Sequence, residues 1–403
     1  MTTSTHSCSH GPLPVELLEA IIKIVKDDES SNLLSLRLVS KVLNQLSTPL
    51  AFREIVIKDS VKSAQAVAFV QSCDGSLRSL VREVIFKGDA VCLQEDEEST
   101  DSLGEDNREA LQTVFSGLAK FDNMKSLKLV FHELFEEEDS FQLPGDPSHY
   151  LRLQRQIFRA LSSSPPPVSL ISLTMQNVIS MPDDIYLDQD FHQLFTGLQD
   201  LSISVLSDVE YEGSYYQDPL VDFWAASMTA LVGASTGLTG LTIRSDQIIG
   251  TYPALSFAGV SMPRLSSLTL YDFALEPLFS DSDAVVFILR HKPTLEHLKL
   301  VGCSIDGGEE GEFTRPWHAV FSLFEAELDN IQEFVFNAFF DAKSLADADE
   351  FERKAMFIYT RLDPGWGYLP WDEELPTANL DLPALESLLA VVESRRSSSD
   401  LEK

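Results

Sequence analysis

Cysteine is scarce. There are four in 403 residues, Cys8, Cys73, Cys92 and Cys303, and none stands in a C-x-x-C pair. That spacing excludes a zinc knuckle and a disulfide framework and fits a reducing compartment. Long apolar runs are missing too. None reaches the length of about 20 residues that a bilayer span requires, and MTTSTHSCSH lacks an apolar signal core. The expected location is cytoplasmic or nuclear. Positive charge is the third shortage, with 30 Lys and Arg against 63 Asp and Glu, a formal net charge of -33. So acidic a chain is not built to grip a phosphate backbone or an anionic membrane, so neither nucleic acid nor membrane is an expected partner. The charge suits high solubility, and it suits a basic partner. Its densest runs, QEDEESTDSLGED at 94–106 and ELFEEEDS at 133–140, read as solvated loops. Cofactor signatures are also lacking. No G-x-G-x-x-G or G-x-x-x-x-G-K-[ST] follows a strand, and the eight histidines show no H-E-x-x-H spacing. His6, Cys8 and His10 alternate like metal ligands, but on a terminus expected to fray, so no metal or cofactor is assigned.

What the sequence does have is a core-forming composition, 44% hydrophobic and 23% charged. It also has a leucine-rich helical unit at its start. After residues 1–12, expected to be disordered, LPVELLEAIIKIV places Pro14 in the first turn of a helix, where a missing N–H costs nothing. Leu17, Ile21 and Ile24 recur at i, i+4, i+7, and Leu18 and Val25 widen the stripe. A short second helix carries Leu33, Leu36 and Val39 facing inward. Ser40 is placed to cap a third with Val42, Leu43 and Leu46, which Pro49 ends. FREIVI at 52–57 then alternates as a strand. From Leu13 to Ile57 there are five basic and six acidic residues, so this segment carries -1 and the remainder -32. Three short helices bury too little to stand alone. The unit is either a docking surface or the N-terminal cap of a larger fold, and periodicity does not choose between them.

The same residues resemble a known family. Leu13-Pro14, Glu16-Leu17-Leu18, Ile21, then Leu36-Arg37-Leu38-Val39-Ser40-Lys41 and the exit Phe52-Arg53-Glu54-Ile55 resemble the F-box in order and spacing over about 45 residues. The acidic KDDESS link at 26–31 departs from the pattern. The resemblance implies that residues 13–57 bind the Skp adaptor and, through it, the cullin of an SCF ubiquitin ligase. Leu13, Pro14, Leu17, Leu18 and Ile21 would then supply contacts from the first helix, and Leu36, Val39, Ser40 and Lys41 a second patch. It also implies that the rest of the chain recruits a protein substrate.

Beyond residue 60 a template of apolar residues at i, i+3 and i+5 recurs eight times. It starts at Val81, Met124, Leu170, Leu198, Leu238, Leu265, Leu295 and Ile331, at intervals of 43, 46, 28, 40, 27, 30 and 36 residues. Each copy reads as a short strand. LEHLKLVGCSI extends to a Cys303-x-Ile305 tail, as in a leucine-rich repeat. Helix-period segments lie between the strands at 108–121, 150–161, 221–232, 283–292 and 317–328, long enough for parallel crossovers. The expected fold class is α/β: a three-helix F-box, then an irregular leucine-rich-repeat-like α/β solenoid of parallel strands over 58–358, then a helical cap. The array resembles the degenerate repeats of fungal F-box proteins. The same alternation could instead build a doubly wound open sheet. In a solenoid, Lys128, Thr174, Ser202, Thr242, Thr269 and Lys299 would project from the open face of the strands toward a substrate.

Residues 359–395 read as a C-terminal cap. Tyr359, Trp366, Tyr368 and Trp371 stand among Pro and Gly and suit covering an exposed core end, or lining an aromatic pocket. A last helix has Asp381 as cap and Leu385, Leu388, Leu389 and Val392 on one face, and 396–403 is expected to be a disordered tail. Gly233-Ala234-Ser235-Thr236-Gly237 matches the hydrolase elbow G-x-S-x-G. That elbow needs a strand-to-helix turn, and here a helix precedes and a strand follows. The expected function is therefore a non-catalytic substrate receptor. The alternatives are a repeat scaffold independent of any cullin and, more remotely, a serine hydrolase at Ser235.

Overall fold

The computed structural model describes residues 13–28, 32–88, 100–133, 147–207, 218–275, 283–307, 313, 315–337, 355–363, 366–373 and 375–401. It begins with three helices, α1 (Val15–Asp28), α2 (Asn32–Leu36) and α3 (Lys41–Ala51). Ser40 caps α3 as expected, its Oγ accepting from the Leu43 N–H at 3.2 Å. Pro49 does not end that helix, which runs on to Ala51. Ile22 and Leu33 form the small interior of this unit.

Nine strands follow in one sheet: β1 (Glu54–Lys58), β2 (Glu83–Lys87), β3 (Ser126–Val130), β4 (Ser172–Ile179), β5 (Asp200–Leu206), β6 (Gly240–Ser245), β7 (Ser267–Tyr271), β9 (His297–Val301) and β11 (Glu333–Phe336). All eight template copies fall on strands of this sheet, and FREIVI supplies β1. Every neighbouring pair is parallel, and the spatial order is the chain order. A doubly wound sheet needs that order to reverse about an early strand, and no reversal occurs. The chain advances in one direction.

The crossovers hold α4 (Val61–Ser72), α5 (Gly75–Arg78), α6 (Thr100–Ser116), α7 (His149–Ser162), α8 (Gln189–Thr196), α9 (Asp218–Asp222), a π turn (Phe223–Met228) continuing into α10 (Thr229–Ala234), α11 (Ala284–Arg290) and α12 (Trp317–Glu327). The acidic run at 94–106 is thus not all loop: from Thr100 it is the start of α6. The expected helix at 221–232 carries the π turn, which brings Phe223, Trp224, Ser227 and Met228 into the interior together.

The sheet is covered on one side. Along β3, β7 and β9 burial alternates strictly, with Leu127, Leu129, Leu268, Leu270, Leu298 and Leu300 inside. These meet Leu111, Val114, Phe115, Ile157 and Phe158 of the helices in one continuous core that runs from Ile55 to Val392. Ile22 and Leu33 are not part of it. Much of the core is aromatic. Phe86, Phe115, Phe131, Phe158, Tyr186, Phe191 and Phe223 touch in an almost unbroken series of edge-on and tilted ring contacts, each contributing about 0.5–1.5 kcal/mol beyond its area.

A left-handed corner repeats at the end of β7 and β9 and at an irregularity inside β4. Asn177, Asp272 and Gly302 each lie two residues past the last inward residue of the template (Met175, Leu270, Leu300) and adopt φ of 59°, 57° and 64°. The left-handed region favours Gly, Asn and Asp. At Gly302 a Cβ would also collide with the Asp272 carboxylate. Beyond two of these corners the chain enters a second sheet, in which β8 (Ala274–Leu275), β10 (Ser304–Asp306) and β12 (Ile358–Asp363) run parallel and β13 (Gly367–Pro370) pairs antiparallel to β12. The Cys303-x-Ile305 tail lies here, with both residues fully buried.

The last helix, α13 (Asp381–Leu401), buries Leu385, Leu388, Leu389 and Val392 as expected. It continues to Leu401, through most of the stretch expected to be a tail. Asp381 does not cap its own helix. Its carboxylate accepts from the His318 N–H at 2.8 Å at the start of α12, and from the Tyr359 hydroxyl at 2.7 Å. The cap therefore serves the neighbouring helix and ties the end of the chain to the core.

Candidate functional site

Two surfaces stand out, both built from residues singled out in the sequence. The first is the N-terminal unit. Of the fifteen large apolar residues that are well exposed among the described residues, nine lie between positions 13 and 42: Leu13, Val15, Leu17, Ile21, Ile24, Leu34, Leu38, Val39 and Val42. Leu38 is 87% exposed and Val39 68%. The stripe Leu17, Ile21, Ile24 that the periodicity marks points to solvent. The interior side of α1 is Ile22, with Leu18 and Val25 half-buried. Val39, expected to face inward, faces out because the chain leaves α2 at Leu36 and passes through a turn at residues 37–39.

Of the residues that the F-box resemblance assigns to the adaptor, Leu13, Pro14, Leu17, Ile21, Val39, Ser40 and Lys41 are exposed, and Leu18 and Leu36 are half-buried. Arg37 stiffens the connection. Its guanidinium lies 4.6 Å from the centre of the Phe52 ring, and its Nε donates to Thr48 Oγ1 at 2.9 Å. Val15, Ile24, Leu34, Leu38 and Val42 add to the apolar face without having been assigned to it. For Val15 and Ile24 a signal existed, since α1 is apolar on two sides.

The second surface is the uncovered side of the sheet. The six residues expected there form one unbroken ladder. Lys128 is in register with Thr174, Thr174 with Ser202, Ser202 with Thr242, Thr242 with Thr269, and Thr269 with Lys299. All six are partly exposed. Val56 and Ile85 extend the row at one end and Val335 at the other. Toward the C-terminal ends of β3 to β7 this face deepens into a groove of about 540 Å³ lined by Gln176, Asn177, Ser204, Arg244, Asp246 and Tyr271 among others.

Charge is organised in the groove. The Arg244 guanidinium lies 5.5 Å and the Lys299 ammonium 5.9 Å from the centre of the Tyr271 ring, a cation on either neighbouring strand. Partial loss of solvent around the Asp246 carboxyl pushes it up to about 6, although the residue as a whole is exposed and its carboxylate accepts from the Ser207 N–H at 2.7 Å. The Asp272 carboxyl is raised for the same reason, with Arg244 opposing the shift. Donors and acceptors are plentiful here, so a polar or extended polypeptide partner can be hydrogen-bonded along the row. The sequence pointed to the ladder but not to the groove, because Arg244, Asp246 and Tyr271 follow the template rather than fall within it.

Ser235 lies elsewhere. It is fully buried at the C-terminal end of α10, and its hydroxyl donates to the Leu231 carbonyl at 2.8 Å. That is a helix-end hydrogen bond, not the exposed strand-to-helix elbow. Of the tail aromatics, Tyr359 and Tyr368 are buried, Trp371 is half-buried and Trp366 is exposed. Tyr359 belongs to the Asp381 network. Among the described residues no three His, Cys, Asp or Glu side chains converge as metal ligands, and no helix is long and apolar enough to cross a membrane. His6, Cys8 and His10, and most of the acidic stretch 133–140, lie outside the described residues. No protein-family model matches the chain, and no curated protein matches it in sequence.

Proposed function

We propose that the chain is the substrate receptor of an SCF-type ubiquitin ligase. In this reading α1–α3 are an F-box that docks on the Skp adaptor and through it on the cullin. The parallel array behind it is an irregular leucine-rich-repeat-like solenoid, and its open face takes a protein substrate. The receptor itself transfers nothing. It raises the local concentration of a substrate lysine near a ubiquitin-conjugating enzyme held elsewhere on the ligase.

One observation carries the reading. The positions that the F-box resemblance assigns to the adaptor coincide with the densest exposed apolar surface among the described residues. A cluster of this kind on an acidic chain marks a protein-interaction site. The one-directional strand order and the one-sided core support the solenoid. The test is co-purification of the full chain with the Skp adaptor of the same organism. Stoichiometric binding supports the receptor. A folded, monodisperse chain that does not bind overturns it and leaves a repeat scaffold independent of any cullin.

A further inference from the structure

The outer side of the helical layer carries a surface of opposite character. Arg152, Arg155 and Arg159 stand on one side of α7, and Arg108 faces them from α6. Together with Glu109, Gln112 and Gln156 they line a groove of about 760 Å³. Four of the 30 basic residues of a chain with net charge -33 meet in this one place. Part of the charge is answered internally. The Asp183 carboxylate lies 3.0 Å from the Arg155 Nε as an ion pair and accepts from an Arg159 nitrogen at 3.3 Å. The guanidiniums of Arg108 and Arg152 have no acidic partner among the described residues. Gln156 donates to the Arg108 carbonyl, and its Oε1 is buried without a donor.

The arrangement works against the fold's own electrostatics. Arginines three and four residues apart on one helix repel, and acidic residues to relieve them outnumber basic ones two to one in this chain. Keeping the cations together makes sense if something outside the chain supplies the missing carboxylates.

We propose that this groove binds an acidic polypeptide segment of a partner protein. The spacing fits such a ligand. Arg152 to Arg159 spans about 10 Å along α7, which is the span of three carboxylates at i, i+4 and i+7 of an acidic helix. The guanidiniums of Arg108 and Arg152 can each take a carboxylate through two parallel hydrogen bonds, and the exposed Arg159 adds to the local positive field. A nucleic acid fits worse, since its phosphates would continue past the groove over a strongly acidic surface. Screening at physiological salt confines the chain's own repulsion to about 8 Å, so a local cationic groove remains attractive. The groove's lining shares no residue with the proposed adaptor face or with the ladder.

The experiment is fluorescence anisotropy of the full chain with a fluorescein-labelled helical peptide bearing Glu at i, i+4 and i+7, at low salt. Its partners are a Gln version of the peptide and a single-stranded oligonucleotide. The Glu peptide binds, and the Gln peptide binds about tenfold or more weakly. Arg108→Glu with Arg152→Glu weakens the Glu peptide about tenfold or more while the melting temperature holds. Arg152→Ala, at an exposed helical position, weakens it in the same direction with less perturbation. Absence of binding, equal binding by the double variant, equal binding of the Gln peptide, or displacement by a tighter-binding oligonucleotide each overturns the proposal.

Discussion

If α1–α3 dock through their exposed apolar face, the choice of disrupting residue is set by burial within the chain itself. Leu18 is a poor choice, because it is half-buried and its replacement would damage the unit. Leu17 and Val39 are 52% and 68% exposed, so the folded monomer loses little when either is changed. Full burial of a Leu or Val side chain contributes about 1.5–3 kcal/mol. Roughly half to two thirds of that, about 1–2 kcal/mol per residue, becomes available only on docking. An aspartate in either place loses this contribution and brings an unpaired carboxylate into apolar contact, which costs about 1–3 kcal/mol more. Leu17→Asp with Val39→Asp should therefore weaken binding to the Skp adaptor by at least about 4 kcal/mol, roughly a thousandfold in Kd. Titration calorimetry reads the affinity, and the melting temperature of the free chain reports folding. If the wild-type chain binds and the folded double variant binds within tenfold of it, the exposed stripe is not the interface and the reasoning from exposure fails.

Three further predictions concern the body of the chain. Gly302→Ala forces a side chain into φ 64° and against Asp272, so it should lower unfolding stability by about 1–3 kcal/mol in urea titration. Gly259, also at positive φ but with nothing near its Cβ, is the control and should cost less when changed to Ala. His291 is buried, its Nδ1–H donating to the Phe287 carbonyl at 2.8 Å and its Nε2 accepting from the Met262 N–H at 3.0 Å. Only the neutral ring satisfies both bonds, and desolvation lowers its pKa below the ordinary value of 6.5. The unfolded chain therefore takes up the proton first as pH falls through about 6.5, and stability is lost below that point. Asp246 works the other way. Its carboxyl is raised, so the folded chain takes up that proton first, and acidification from about 6 toward 4 adds stability. His291→Gln should remove the acid-side loss, and Asp246→Asn should remove the gain. Unfolding titrations at a series of pH values separate them, and an unchanged pH profile in either variant refutes its assignment.

The strands were legible because each carries the same three inward apolar residues, and a parallel strand covered on one face must alternate. Their sequential order was foreseen but not forced, since the same sequence of strands and helices suits a doubly wound sheet. What decides the order is the continuous helical layer on one side, whose residues Leu111, Phe115, Ile157 and Phe158 join a core that no local window displays. The ladder on the open face was readable for the same reason as the strands, since whatever lies between two inward residues must project from the opposite face. The groove beyond it was not. It forms where the chain turns through Asn177 and Asp272, and only the turning brings Arg244, Tyr271 and Asp246 together.

The N-terminal unit shows a different limit. There the periodicity was real, but it left open which side faces inward. In α1 the strongest stripe, Leu17, Ile21 and Ile24, faces solvent, and a single residue, Ile22, fills the interior. A window of sequence cannot tell an inner face from an outer one when both are apolar, because the hydrophobic effect is non-directional and rewards any covering. The excess can be read, however. A 14-residue helix in a three-helix unit has neighbours for one stripe only, and α1 carries apolar residues enough for two. That surplus can be read from the sequence, and the exposed positions of Leu17, Ile21, Leu38 and Val39 are where the proposed adaptor contact is to be tested.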